Sequence, residues 1–280
     1  MQWPRGKTLG GSSAINGLYL NRPGEVEVNA WQQMLGDMEG AENWSWSALY
    51  AAMKKSETFT PPSDAIATQG DITWDEASHG HSGPIHYSWP DFTFPMIKDW
   101  SSAAANAGVA DSRDTYGGEN WGAYVSNSAI NPANWTRSYS RTGYLDPLPP
   151  RSNYDVLTDA HVTRIVFSHN ETDESGSDLT ASGVEYSPDG GSSVRIVAVK
   201  KEVILSGGSI GSPAVLLHSG IGPADVLAAA DVDLVSELPG VGQHLQDHLS
   251  ISTKWNTTVQ TAGSIYKQHG AESRDPSFVS

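Results

Sequence analysis

Apolar positions fall into two regimes along this chain. Between residues 20 and 150 they form short clusters broken by loop signals, and from Asp155 onward they recur as brief β-type runs. In the first regime Ser45 is suited to N-cap a helix over Trp46–Glu57, with Leu49, Ala52 and Met53 on one face. Pro95 to Ala107 reads as a second helix closed by Gly108. The stretches 59–92 and 109–150 read as loops, rich in Pro, Gly and aromatics. In the second regime strands are predicted at Val156-Leu157, Ile165–Phe167, Val184–Tyr186, Val194–Val199 and Val203–Leu205. The last of these runs into Gly207, Gly208 and Gly211. Pro213 then opens a helix through Val215, Leu216 and Leu217 that stops at Ser219-Gly220, and Pro223–Ala230 is a further helix. Near the start, Gly10-Gly11-Ser12-Ser13 is a turn, with a short helix beginning at Ala14-Ile15. A loop-rich half followed by a β-rich half with one strand–turn–helix unit fits an α/β nucleotide-binding domain with an inserted second region.

Composition narrows the field. The 280 residues suffice for one large domain or two ordinary ones. A formal charge of −15 argues against nucleic acid and anionic membranes as partners, and no apolar run has transmembrane length. With no cysteine there is no disulfide, thiolate metal site or catalytic thiol. Glycosylation sequons at Asn43, Asn134, Asn170 and Asn256 point to a secreted, extracellular glycoprotein. No signal peptide is visible after Met1. Both ends read as internal, so a fragment is expected.

Several segments compete as the chemical site. Gly6-Lys7-Thr8 resembles the end of a P-loop, but Met1 stands where the first glycine belongs. Gly10-Gly11-Ser12-Ser13 with Asn16-Gly17 can lay backbone against a planar or phosphorylated ligand, or be an ordinary turn. Gly240-Val241-Gly242 begins a dinucleotide fingerprint, yet Leu245 replaces its third glycine, which favours a turn. His79-Gly80-His81 and Asp247-His248 lack the further ligands of a zinc site, so no metal is expected. The ten Trp and ten Tyr suit stacking on a ring or sugar, although core packing is expected to account for most. Residues 203–222 have two readings. They form an anion-cradling turn before a helix, or a nucleophile elbow, since Gly207-Gly208-Ser209-Ile210-Gly211 satisfies G-x-S-x-G. In the second reading Ser209 of an α/β serine hydrolase would draw on Asp225, Asp231 or Asp247 and on His248 or His269.

Taken together, Arg5–Gly17 and Gly208–Gly222 resemble the two signatures of the glucose–methanol–choline (GMC) flavin oxidoreductases. Val156-Leu157-Thr158, Val162-Thr163-Arg164-Ile165, Lys201–Gly208 and Pro239–His248 match in order and spacing. The resemblance implies an incomplete FAD/NAD(P)-binding Rossmann-like domain with an inserted α+β substrate domain. It implies a flavin-contacting segment over 1–44, substrate domain and loops over 45–135, FAD-domain core over 136–248, and a truncated substrate segment over 249–280. FAD is the implied cofactor, with Gly11, Ser12, Asn16, Gly17 and Tyr19 along its pyrophosphate and flavin ring and Val162 at its adenine end. Asp247-His248 would lie near the cofactor, and Ser209 would be a turn residue. Leu20 stands where many members carry an aromatic, and His244 where many carry Asn. The implied reaction oxidises an alcohol or sugar CH–OH, passing hydride to flavin N5 and then electrons to oxygen or a quinone. The family's G-x-G-x-x-G would precede Met1 and its catalytic His pair would follow Ser280. No catalytic residue is therefore expected within the chain, which alone should be inactive and bind FAD weakly or not at all.

Overall fold

The computed structural model describes residues 3–112, 114–169, 179–247, 251 and 256–259. The chain divides into two compact units, one built on Met1–Pro149 and one on Pro150–Lys254.

In the first unit, helix α1 (Glu25–Leu35) starts at Gly24, whose N–H donates to the Glu27 carboxylate at 2.6 Å. That contact is half of a capping box, and Glu25 and Glu27 also face the positive helix end. The pattern gave no sign of this helix, because Glu25-Val26-Glu27-Val28 alternates like a strand. Helix α2 (Trp46–Lys55) has the expected cap, Ser45 Oγ accepting from Ala48 N–H, and ends before Glu57. Strand β1 (Glu57–Phe59) follows and pairs in parallel with β2 (Ile85–Tyr87). Between them lies α3 (Asp64–Gly70), capped by Ser63, inside a stretch expected to be loop. The helix expected over 95–107 occurs in two parts, a 3-10 turn Pro95–Asp99 and α4 (Trp100–Asn106). A short hairpin, β3 (Ile130–Asn131) with β4 (Thr136–Arg137), closes the unit's strand inventory among the described residues.

Phe59, Ile66, Ile72, Tyr87, Trp89 and Tyr116 form the buried core of this unit. Trp89 is the one described tryptophan that is buried, whereas Trp3, Trp31, Trp44, Trp100, Trp121 and Trp135 are exposed. Core packing therefore does not account for most tryptophans, contrary to the expectation from composition.

The second unit carries the antiparallel sheet β5 (His161–His169), β6 (Leu179–Ser187) and β7 (Arg195–Ala198) in that order. Helix α5 (Gly208–His218) leads to β8 (Ile221–Gly222), α6 (Ala224–Ala229) and β9 (Ser236–Glu237), with β8 and β9 parallel. Two expected strands are corrected. Val156-Leu157 and Val203–Leu205 carry no ladder among the described residues, and Leu157 and Ile204 are 63% and 77% exposed. Apolar β-type residues make a strand only where a neighbour takes up their N–H and C=O groups. Helix α5 also begins five residues before Pro213, which sits inside it and supplies no N–H to the turn before.

Candidate functional site

The first signature folds into one continuous turn. Gly10 and Gly11 take left-handed backbone angles, φ +94° and +56°, which glycine adopts without steric cost. They set a 3-10 turn over Gly11–Ala14. Gly6 passes so close beneath it that a Cβ would lie 2.1 Å from the Gly11 carbonyl oxygen, and Gly6 N–H donates to Ser12 Oγ at 3.1 Å. Ser13 Oγ donates to the Gly10 carbonyl at 2.5 Å. Leu18 follows with φ +71°, a strained angle for a branched residue. It is held by Leu18 N–H donating to Asn16 Oδ1 at 3.1 Å and by Ala129 N–H donating to its carbonyl at 2.8 Å.

Ser12, Asn16, Gly17 and Tyr19 are exposed and Gly11 is half-buried, all within this segment of the first unit. Tyr19 is 68% exposed although its backbone is bridged to Ser128. Gly17 lies under its ring, where a Cβ would sit 3.3 Å from Tyr19 Cε2. Ile15 is exposed on the same turn, and a Cβ added at Gly11 would meet nothing within 4 Å. An exposed aromatic ring, an exposed isoleucine, an open glycine face and an amide fit a planar, polar-edged group such as a flavin.

A second segment holds this turn, and no sequence motif marks it. Ser140 Oγ lies 2.7 Å from Ser13 Oγ and donates to the Gly10 carbonyl at 3.0 Å. The Tyr139 ring covers Gly10, where a Cβ would come within 2.7 Å of it. Arg137 donates to the Asn16 side-chain oxygen at 2.6 Å and to its carbonyl at 2.9 Å. These partners lie more than 120 residues from the turn, beyond the reach of spacing arguments.

Val162 belongs to the second unit, on β5, where it pairs with Tyr186. The register shifts between Val162 and Arg164, which makes a bulge at Thr163. Thr163 Oγ1 donates to the Glu185 carboxylate at 2.7 Å. Glu185 also accepts from Arg164, and these hydrogen bonds hold its carboxyl below the usual carboxylate range.

The second signature is a helix start. Gly208 has φ +76°, Ser212 Oγ accepts from Gly207 N–H at 2.9 Å, and a Cβ on Gly207 would lie 2.9 Å from Gly211 C. Ser209 is exposed on the first turn of α5. Among the described residues it has no hydrogen bond to a histidine or carboxylate, and a nucleophile needs such a base. Gly240–Gln243 is a turn, with Gln243 N–H donating to the Gly240 carbonyl and no helix among the described residues that follow. His244 takes φ +56°, in the left-handed region where asparagine is favoured. His248, His269 and Asn170 lie outside the described residues.

His79 is buried and both its ring nitrogens have partners. One ring nitrogen meets Tyr87 Oη at 2.5 Å and the other meets Asp114 Oδ2 at 2.9 Å. Tyr87 donates to Glu57 at 3.0 Å, and Glu57 pairs with the buried Arg22. Desolvation, reinforced by the Glu57 charge, pushes the Tyr87 hydroxyl far above its ordinary value, and burial does the same to Tyr116. The pair Arg22 and Glu57 sits 35 residues apart in sequence, with no local pattern to mark it.

Comparison with known proteins is consistent with this geometry. The GMC oxidoreductase family model matches residues 1–250. A GMC oxidoreductase family protein, Mala s 12 of Malassezia sympodialis, is 46% identical over 248 residues, covering 89% of this chain and 39% of that protein. The FAD-dependent oxidoreductase of Chaetomium thermophilum superposes with TM-score 0.77 at 36% identity, over 87% of this chain and 39% of its own. A fungal aryl-alcohol oxidase gives TM-score 0.74 at 32% identity, over 85% of this chain and 38% of its own. The chain thus spans about two fifths of the length of the relatives it matches. Its α/β fold resembles that of FAD-dependent oxidoreductases, and the chain belongs to the GMC oxidoreductase family.

Proposed function

We propose that the gene product carrying this chain is an FAD-dependent oxidoreductase of alcohols or sugars, and that this chain contributes part of its cofactor cradle. The carrying observation is the glycine turn Gly10–Gly17: a Cβ at Gly11 would meet nothing within 4 Å, Asn16 and the adjoining Tyr19 are exposed, and Ser140 and Arg137 bond the turn. In this reading Ser12 and Asn16 bind polar edges, Gly11 and Gly17 permit close approach, and Tyr19 covers a ring face. Val162 is assigned to the adenine end on the family resemblance alone. Bound FAD would accept the hydride from the carbinol carbon. The hydroxyl proton must pass to a base, and we assign that base to none of the described residues. Ser209 has no nucleophilic role in this reading.

The aryl-alcohol oxidase relationship supports a small alcohol as substrate and oxygen as a candidate acceptor, with a quinone as the other. A panel of aryl, aliphatic and sugar alcohols, assayed for hydrogen peroxide and for quinone reduction, tests both. Turnover of none of these with either acceptor would contradict the proposal. We also propose a secreted glycoprotein, supported by the exposure of Asn43, Asn134 and Asn256. Enzymatic removal of N-glycans from the natural material should lower its mass; no change would contradict this. No described helix is long and apolar enough to cross a membrane.

A further inference from the structure

An asparagine side chain has an accepting end and a donating end, and its neighbours decide which faces outward. At Asn16 the accepting end is occupied twice. Arg137 Nη1 donates to Oδ1 at 2.6 Å and Leu18 N–H donates to it at 3.1 Å. Arginine carries only donors and stays protonated, so the end of Asn16 that meets it must be oxygen. Asn16 is exposed, so its NH2 group is left to meet a ligand. The same guanidinium donates from Nη1 to the Ser13 carbonyl at 3.2 Å and from Nη2 to the Asn16 carbonyl at 2.9 Å. Arg137 is itself fixed, as the last residue of β4, by its pairing with Ile130.

We propose that Arg137 is a positioning residue for the cofactor turn: acting through Asn16, it presents the amide NH2 outward, so the ligand edge seated there must be a hydrogen-bond acceptor. This rests on the flavin reading of Gly10–Tyr19. The fork also holds Leu18 in its strained angle, because Asn16 Oδ1 is shared between Arg137 and Leu18 N–H. A lysine could supply the charge but not two nitrogens in a fixed plane.

The test is a double-mutant cycle on the natural gene product, with flavin dissociation constant, flavin absorption band and thermal midpoint as readouts. Arg137→Met should weaken flavin binding about tenfold and displace the absorption band, since a charge-assisted contact that orients a ligand group is lost. Arg137→Lys should fall between wild type and Arg137→Met. Asn16→Ala should weaken binding by a similar factor, and the double variant should be no weaker than Asn16→Ala alone. Hydrogen exchange at the Leu18 amide should quicken in Arg137→Met. Additive losses, or native affinity and spectrum with only a lowered midpoint, would overturn the proposal while leaving the flavin reading intact. A wild-type gene product that binds no flavin would overturn both. Should Arg137→Met not fold, the cycle with Arg137→Lys decides by the same criterion.

Discussion

His79 Nε2 and Asp114 Oδ2 meet at 2.9 Å inside the first unit, with both side chains nearly removed from solvent. Burial alone would raise the Asp114 carboxyl. Hydrogen bonds from His79 and from the backbone N–H groups of Asp75 and Tyr116 outweigh it and hold the carboxyl below its ordinary value. A carboxylate depressed in the folded state stabilises the fold above its unfolded value near 4 and loses that contribution as pH falls through the folded value. Asp114→Ala should therefore cost roughly 3 kcal/mol at neutral pH, because it leaves a buried partner unpaired. Urea unfolding at pH 7 and near pH 3 checks this: the gap between wild type and variant should shrink at low pH. A gap that stays constant would contradict the assignment.

Glycines make a sharper contrast. At Gly6 a Cβ would collide with backbone, the Gly11 oxygen at 2.1 Å, so Gly6→Ala must displace the turn. At Gly240 a Cβ meets nothing within 4 Å and the backbone angle is ordinary. Gly6→Ala should destabilise by more than about 2 kcal/mol, while Gly240→Ala should be neutral or stabilise by about 0.5 kcal/mol. Thermal unfolding of both variants measures this, and equal effects would show that the collision at Gly6 is easily relieved.

The second signature separates its two serines. Ser212 Oγ bonds Gly207 N–H, and Ser209 has no such partner among the described residues. Ser212→Ala should cost about 1 kcal/mol of stability. Ser209→Ala should leave both stability and alcohol oxidation within about twofold of wild type, as an exposed side chain without a built role. Loss of activity by Ser209→Ala of a hundredfold or more would restore the nucleophile reading.

Local signals told much about this chain and long-range ones little. Ser45 announced α2, and the apolar β-type runs Ile165–Phe167 and Val184–Tyr186 announced β5 and β6, because caps and local apolar patterns are written in adjacent residues. The glycine turn was legible for the same reason. Helix α1 was not, since Val26 and Val28 alternate with glutamates, and α3 was hidden among prolines and glycines. The strand read at Val203–Leu205 fails where pattern alone was asked to stand in for a pairing partner. Arg137, Ser140 and the Arg22–Glu57 pair were invisible because each acts on a residue far away in sequence, and no single-chain spacing encodes that. Of the six site residues named from resemblance, five lie between Gly11 and Tyr19 and Val162 lies on β5.

The most direct test is the visible spectrum of the purified gene product during anaerobic titration with an alcohol. A yellow protein whose flavin bands bleach on addition of an oxidisable alcohol, and recover on admitting oxygen or a quinone, is the predicted result. A colourless protein that takes up no FAD and is labelled at Ser209 by a fluorophosphonate would contradict it.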